Sequence, residues 1–319
     1  MARPTIYVTL QQFCEQDDRP RKLLEGAGFE VQLNTLGRRL RREDLLTLLQ
    51  DVDGVLAGVE PYDADVLTAL PRLRCISRCG IGMDTVDLNA ARQRGVAVYT
   101  TADEVIEPVA QLTVAMMLAL ARNFSRHLSD FREGSWKKHT GVLLSEWTIG
   151  LVGFGRIGRA VERYLKVFGP RLLVADPHMN QHDLPAGATS YSLPDLLGEA
   201  DLVSLHAARR AEAGPLLGRR ELALMKPGSF LVNTARGFLV DETALEDALR
   251  SGHLAGAALD VFQAEPYTGA LTHLPNVLCT PHVATLTRAS RAQMEWRSAQ
   301  HLVEHFAKRP ETISQTASR

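Results

Sequence analysis

Three short stretches in the last third of the chain carry side chains that could do acid–base and anion chemistry. Asn233-Thr234-Ala235-Arg236-Gly237 follows an apolar run. An arginine at a strand end offers a two-pronged donor to a carboxylate and sets positive charge beside a carbonyl. Asp260 and Glu265 follow the next apolar run, in Leu259-Asp260-Val261-Phe262-Gln263-Ala264-Glu265-Pro266. His282 follows another, in Thr280-Pro281-His282. An imidazole titrates near neutrality and can give or take a proton, and a carboxylate such as Glu265 could orient it and stabilise its charged form. Taken singly, each has a blander explanation: a surface arginine after a turn, solvated loop acids, an inert histidine.

Side chains this far apart in sequence need a frame, and residues 148–177 supply its centre. An apolar run, 149–152, reads as a buried strand. Gly153-Phe154-Gly155-Arg156-Ile157-Gly158 follows, then Ile157, Val161, Tyr164, Leu165 and Phe168 at helical spacing, then a second apolar run ending in Asp176. Strand, glycine turn, helix, strand and terminal acid make a dinucleotide-binding unit. Gly153 permits the tight turn, Gly155 the close approach of a pyrophosphate, and Gly158 the packing of helix on strand. The helix N-terminus offers unpaired N–H groups and partial positive charge. Asp176 would accept from the adenosine ribose hydroxyls and repel a 2′-phosphate, so NAD is favoured over NADP. A glycine turn in some other α/β protein, a methyltransferase or a flavoprotein are the competing readings.

Around this centre the chain alternates short strands and helices. Residues 4–101 carry strands at 6–9, 31–33, 54–57, 75–77 and 96–100, and helices at 21–27, 42–50 and 88–94. A long helix is expected over 104–123, and a loop with Trp136, Lys137, Lys138 and His139 leads into the dinucleotide unit. Strands recur at 202–205, 229–232, 255–259 and 277–280, with helices at 219–225 and 241–250, the latter capped by Asp241. A last helix spans about 288–308 and returns to the first domain. The polar tail 311–319 is expected to fray. The fold class is α/β, with parallel sheets covered on both faces.

A length of 319 residues suits two domains with ample core. A formal net charge of −1, with 23% charged residues, provides no global field toward nucleic acid or a membrane. Cys14, Cys75, Cys79 and Cys279 lack metal-ligand or disulfide spacing. Reduced thiols in a cytoplasmic protein, with no metal, are expected. No basic-then-apolar leader opens the chain, and the longest apolar run, 114–121, is too short to span a bilayer.

The motifs GFGRIG with Asp176, NTARG, DVFQAEP and TPHVA, in this order and at these separations, resemble the D-isomer-specific 2-hydroxyacid dehydrogenases over nearly the whole chain. The resemblance implies two Rossmann-like domains. Residues 1–101 and 283–319 would form a discontinuous, flavodoxin-like substrate domain, and 102–282 the NAD-binding domain, with a cleft between them. It implies a homodimer formed through about 104–147. Arg236 would grip the substrate carboxylate and 2-oxo oxygen, His282 would exchange a proton with that oxygen, and Glu265 would hold the other ring nitrogen. Asp260 would meet the nicotinamide carboxamide. Thr113, Arg156, Ile157, His206, Thr234 and Ala235 fall at further cofactor positions.

The same resemblance assigns Arg78-Cys79-Gly80-Ile81 to a loop whose amides bind the substrate carboxylate. Arg78 matches an arginine near the substrate phosphate in phosphoglycerate dehydrogenases, and Lys137 or Lys138 approximates another basic residue there. A substrate with a second anion is therefore the expectation, 3-phosphoglycerate/3-phosphohydroxypyruvate or phosphonopyruvate. Behind it stand a glyoxylate/hydroxypyruvate reductase, a D-lactate-type reductase, and, from another class, an NAD(H)-sensing corepressor. Departures from the family pattern are Gln111 in place of the usual Glu, Arg209 and Arg210 after His206, and Thr285 where glycine is common.

Overall fold

The computed structural model describes all residues except 1–2, 180–183, 185–187, 209–213 and 308–319. The chain divides into two compact units, Met1–Val105 with Thr287–Arg319, and Ile106–Leu286. Arg209, Arg210 and the tail 311–319 lie outside the described residues.

The first unit begins with β1 (Thr5–Val8), α1 (Arg19–Gly26), β2 (Glu30–Leu33), α2 (Arg42–Leu48), β3 (Gly54–Ala57), α3 (Ala64–Ala69), β4 (Cys75–Arg78), α4 (Leu88–Gln93) and β5 (Ala97–Thr100). Its five strands run parallel in the order β2-β1-β3-β4-β5, a flavodoxin-type doubly wound sheet. The helix α3 has no counterpart in the sequence expectations. It starts at an Asp63 cap whose side chain accepts from the Val66 amide, and it buries Val66 and Leu67. At six residues it is too short to show helical periodicity.

The second unit holds α5 (Ile106–Ala121), α6 (Phe124–Arg132), β6 (Thr148–Val152), α7 (Arg156–Leu165), β7 (Arg171–Ala175), β8 (Ala188–Ser190), α8 (Leu193–Glu199), β9 (Leu202–Leu205), α9 (Arg219–Leu224), β10 (Ser229–Asn233), α10 (Glu242–Arg250), β11 (Leu254–Leu259) and β12 (Val277–Cys279). A seven-stranded parallel sheet results, in the order β12-β11-β10-β9-β6-β7-β8. The expected long helix ends within two residues of Asn123, which takes φ +54°, a left-handed conformation that asparagine tolerates; the loop expected after it instead opens with a second helix, α6. Gln111 donates to the Tyr164 hydroxyl at 3.0 Å and so ties α5 to α7. Burial drives this packing: Ile149, Leu151, Leu173, Val174, Val203, Leu205, Leu231 and Val232 are wholly buried, each contributing on the order of 1.5–3 kcal/mol. Gly150 admits Leu196 from α8, whose Cδ2 would stand 2.5 Å from any Cβ there. The last helix, α11 (Arg288–Ala307), returns to the first unit and packs on α1, β3, β4 and β5.

Candidate active site

In the second sheet, the register places Ala175, Val152, Leu205, Asn233, Leu259 and Cys279 on one rung. Because every strand is parallel, the residues just after that rung, Asp176, Gly153, His206, Thr234, Asp260 and Thr280, all emerge along one carboxyl edge. That edge is where open α/β sheets take their ligands. Backbone register thus gathers onto one line residues spread over more than a hundred positions of sequence.

At β6 the glycine turn has the shape a dinucleotide needs. Gly153 has φ +90°, and a Cβ there would lie 2.6 Å from the Ala207 nitrogen. At Gly158 a Cβ would lie 2.5 Å from the Gly153 oxygen, while nothing stands within 4 Å of one at Gly155. Gly155 caps α7 and Arg156 begins it, so amides face the open side of the turn. The Asp176 carboxylate accepts from the Phe154 and His178 amides at 2.7 and 2.9 Å. It braces the turn with one lone-pair face and stays half-buried. On β9, Ser204 Oγ pairs with His206 Nε2 at 3.0 Å, while His206 Nδ1 is buried with no hydrogen-bond partner among the described residues. Burial lowers this imidazole to about 4, so it is neutral at pH 7. Thr113 on α5 meets Thr234 with hydroxyl oxygens 2.7 Å apart, joining that helix to the end of β10.

The acid–base group is built at the ends of β11 and β12. His282 lies in the left-handed region at φ +53°, and its Nδ1 is 2.9 Å from Glu265 Oε2. The ring is partly open, 42% exposed against 27% for Glu265. Glu265 Oε1 also accepts from the Phe262 amide at 3.2 Å, and the Glu265–Pro266 peptide is cis. Asp260 is fully buried. Its carboxylate accepts from Thr280 Oγ1 at 2.6 Å, Val283 N at 2.8 Å and Ala284 N at 3.0 Å. Burial raises its carboxyl above the ordinary range, and these three donors oppose the rise. The residue expected at the carboxamide therefore braces the histidine loop.

Arg236 follows β10 in an extended conformation. Its backbone oxygen accepts from Asn233 Nδ2 at 2.8 Å, and Asn233 Oδ1 accepts from the Ala235 amide at 3.0 Å. Asn233 thus folds the Thr234–Arg236 turn on itself. Next to it, a Cβ on Gly237 would fall 1.9 Å from the Phe262 carbonyl carbon. Only glycine lets the arginine turn lie against the Glu265 loop.

In the first unit, Arg78 ends β4 at 3% exposure and donates to Thr85 Oγ1 at 2.8 Å. Glu60, 2% exposed, accepts from Thr9 Oγ1 at 2.8 Å. Burial, then the Glu60 charge, hold the Tyr62 phenol well above its ordinary value, with Arg78 opposing. Both charges therefore act on one buried hydroxyl. The Cys79 amide donates to the Ala57 oxygen at 2.8 Å and is committed to the sheet; Gly80 is half-buried and Ile81 40% exposed. Lys138, in the second unit, is exposed. No group of His, Cys, Asp and Glu suited to a metal occurs among the described residues, and no described helix is long and apolar enough to cross a membrane.

The family model "D-isomer specific 2-hydroxyacid dehydrogenase, NAD binding domain" matches residues 114–284. The chain belongs to the D-isomer-specific 2-hydroxyacid dehydrogenase family. Hydroxypyruvate reductase of Thermotoga maritima is 35% identical over 87% of this chain and 91% of its own length. D-3-phosphoglycerate dehydrogenase of Mycobacterium tuberculosis is 37% identical over 82% of this chain and 50% of its own. The chain spans about half the length of such phosphoglycerate dehydrogenase relatives. The solved TT0316 protein of Thermus thermophilus is 37% identical, with a TM-score of 0.85 over 97% of this chain and all of that one.

Among family members, His282, Glu265 and Arg236 could be singled out from sequence because each follows an apolar run in a distinctive motif. The brace residues Asn233 and Thr280 lay inside those motifs without a role. Glu242 went unnoticed, because an acid in the first turn of a helix is explained well enough by the helix dipole.

Proposed function

We propose that this protein is an NAD(H)-dependent dehydrogenase that interconverts a small 2-oxo acid and its 2-hydroxy acid. The observation that carries the reading is the His282–Glu265 contact of 2.9 Å, on the same carboxyl edge as the glycine turn. With Nδ1 held by a carboxylate, the neutral ring keeps its proton there, and Nε2 is the atom left to exchange one. In reduction, protonated His282 gives the Nε2 proton to the 2-oxo oxygen; in oxidation it takes the proton back from the hydroxyl. Glu265 stabilises the charged ring in between, and Arg236 holds the substrate carboxylate and polarises the carbonyl. When bound, NAD(H) supplies or accepts the hydride at the substrate's C2. Gly153, Gly155, Arg156, Ile157 and Gly158 would hold its pyrophosphate, Asp176 its ribose, and His206, Thr234, Ala235 and Thr113 the remainder. Residues suited to proton exchange favour an enzyme over an NAD(H)-sensing corepressor.

For the acid, the geometry favours a short one without a second anion, of the hydroxypyruvate or glyoxylate kind. A guanidinium 3% exposed and donating to Thr85 Oγ1 offers little to a phosphate. A phosphorylated acid remains the second reading, favoured by the phosphoglycerate dehydrogenase relative. A steady-state panel of glyoxylate, hydroxypyruvate, pyruvate, 3-phosphohydroxypyruvate and phosphonopyruvate with NADH decides it. The short acids should show the highest kcat/KM, and Arg78→Ala should leave the ranking unchanged; a phosphorylated or phosphonylated acid at the head of the panel overturns it.

The protein is further proposed to act as a homodimer through α6 and the loop behind it. Phe124, Leu128, Phe131, Trp136 and Leu143 are 51–79% exposed there, large apolar side chains of the kind that mark an interaction surface when they cluster. Sedimentation at micromolar concentration should give twice the chain mass, and a monomer would refute it.

A further inference from the structure

The amides of Phe262 and Gln263 are consecutive, and each ends on a different carboxylate. Phe262 N donates to Glu265 Oε1 at 3.2 Å, and Gln263 N donates to Glu242 Oε1 at 2.6 Å, across 21 positions of sequence. Gln263 is clipped a second time, its Nε2 donating to the Val240 oxygen at 3.0 Å. The anchor is firm, since α10 starts at Asp241, whose side chain caps Ala244 and whose amide donates to the Leu217 oxygen. Two carboxylates thus hold adjacent peptide groups. Burial first, and then the charge of Glu265, raise the Glu242 carboxyl; Glu242 in turn raises the Tyr267 phenol and the Cys279 thiol, in each case behind burial.

We infer that Glu242 is a positioning residue for the acid–base pair: it clamps the Phe262–Gln263 peptide so that Glu265 meets His282 Nδ1. The clamp acts two bonds removed from the chemistry, through backbone. A carboxylate is the suited acceptor because a hydrogen bond to a charged group is about twice as strong as a neutral one. An acid placed only to complement the helix dipole would not need its Oε1 on a peptide from another strand's loop.

The inference rests on the proposed roles of His282 and Glu265, so its test reads the ring without turnover. In the 15N-labelled protein near pH 8, imidazole correlation spectra give the ratio of Nδ1–H to Nε2–H tautomers. The chain has 10 histidines, and the His282 signals are those lost in His282→Gln. Nδ1–H should dominate in the wild type. Glu242→Ala should lower the ratio about tenfold, the scale of one loosened hydrogen bond, while Glu242→Gln, which keeps an acceptor oxygen but not its charge, should lower it distinctly less. If the alanine variant does not fold, Glu242→Met fills the volume without an acceptor and is read the same way. In the wild type alone, the Gln263 amide should exchange slowly with solvent. An unchanged tautomer ratio, a glutamine variant as impaired as alanine, or a fast-exchanging Gln263 amide each overturns the inference. A wild type with the expected tautomer but no turnover on any 2-oxo acid would instead remove the proposed reaction.

Discussion

Asp260 grips the loop of His282 with backbone and side chain together. Its carbonyl oxygen accepts from His282 N at 2.8 Å, and its carboxylate takes the next two amides, Val283 and Ala284. The left-handed turn of His282 follows, because three successive N–H groups must point at one residue. Asp260→Ala keeps the carbonyl that His282 N meets but would strand the Val283 and Ala284 amides and the Thr280 hydroxyl. We expect a loss of about 3–5 kcal/mol in urea unfolding, since a buried unmade hydrogen bond costs about 1–3 kcal/mol. A loss under about 1 kcal/mol, the low end of that range, would show that the loop holds its shape unaided.

His282→Gln should lower kcat for the best acid about 10²- to 10⁴-fold, the usual worth of a placed proton donor. Binding of NADH, followed by its fluorescence, should change less than threefold. Turnover within tenfold of the wild type would take His282 out of the reaction.

Asp176 holds the Phe154 and His178 amides and is proposed to face the cofactor's ribose as well. Asp176→Ala should weaken NADH binding about 10- to 100-fold, as expected for lost hydrogen bonds to a charged group of about 1.5–3 kcal/mol. Unaltered NADH affinity in a fluorescence titration would assign Asp176 to the turn alone.

His206 predicts an acid limit to stability. Its ring is lowered from 6.5 to about 4 by burial, so the unfolded chain binds more protons between those values. Stability on this account is full above pH 6.5 and falls as the pH drops toward 4. The whole shift corresponds to about 3 kcal/mol, nearer 2 allowing for the ring's partial exposure. His206→Asn should flatten that part of the urea-denaturation profile of the cofactor-free protein. An identical pH slope in the variant would refute it.

Much of this could be read from residue order. The strands at Leu202–Leu205 and Gly54–Ala57 came through without error, because buried parallel strands are continuous apolar runs bounded by polar turns. The glycine turn and Asp176 were evident for the same local reason. The helix after Asn123 was not, since α6 is only nine residues long and buries none of its side chains, so no buried stripe marks it in residue order.

The sequence by itself determined most of the element types and the dinucleotide motif, and it singled out Arg236, Glu265 and His282 as candidates, since each depends on neighbours along the chain. Only the tertiary structure decided what those residues lean on. Hydrogen bonds from the His282 loop to Asp260 and from Gln263 to Glu242, and the burial of Arg78, join positions about 20 apart or set charge by depth. Strand register and burial create such contacts, and neither leaves a periodic trace in residue order.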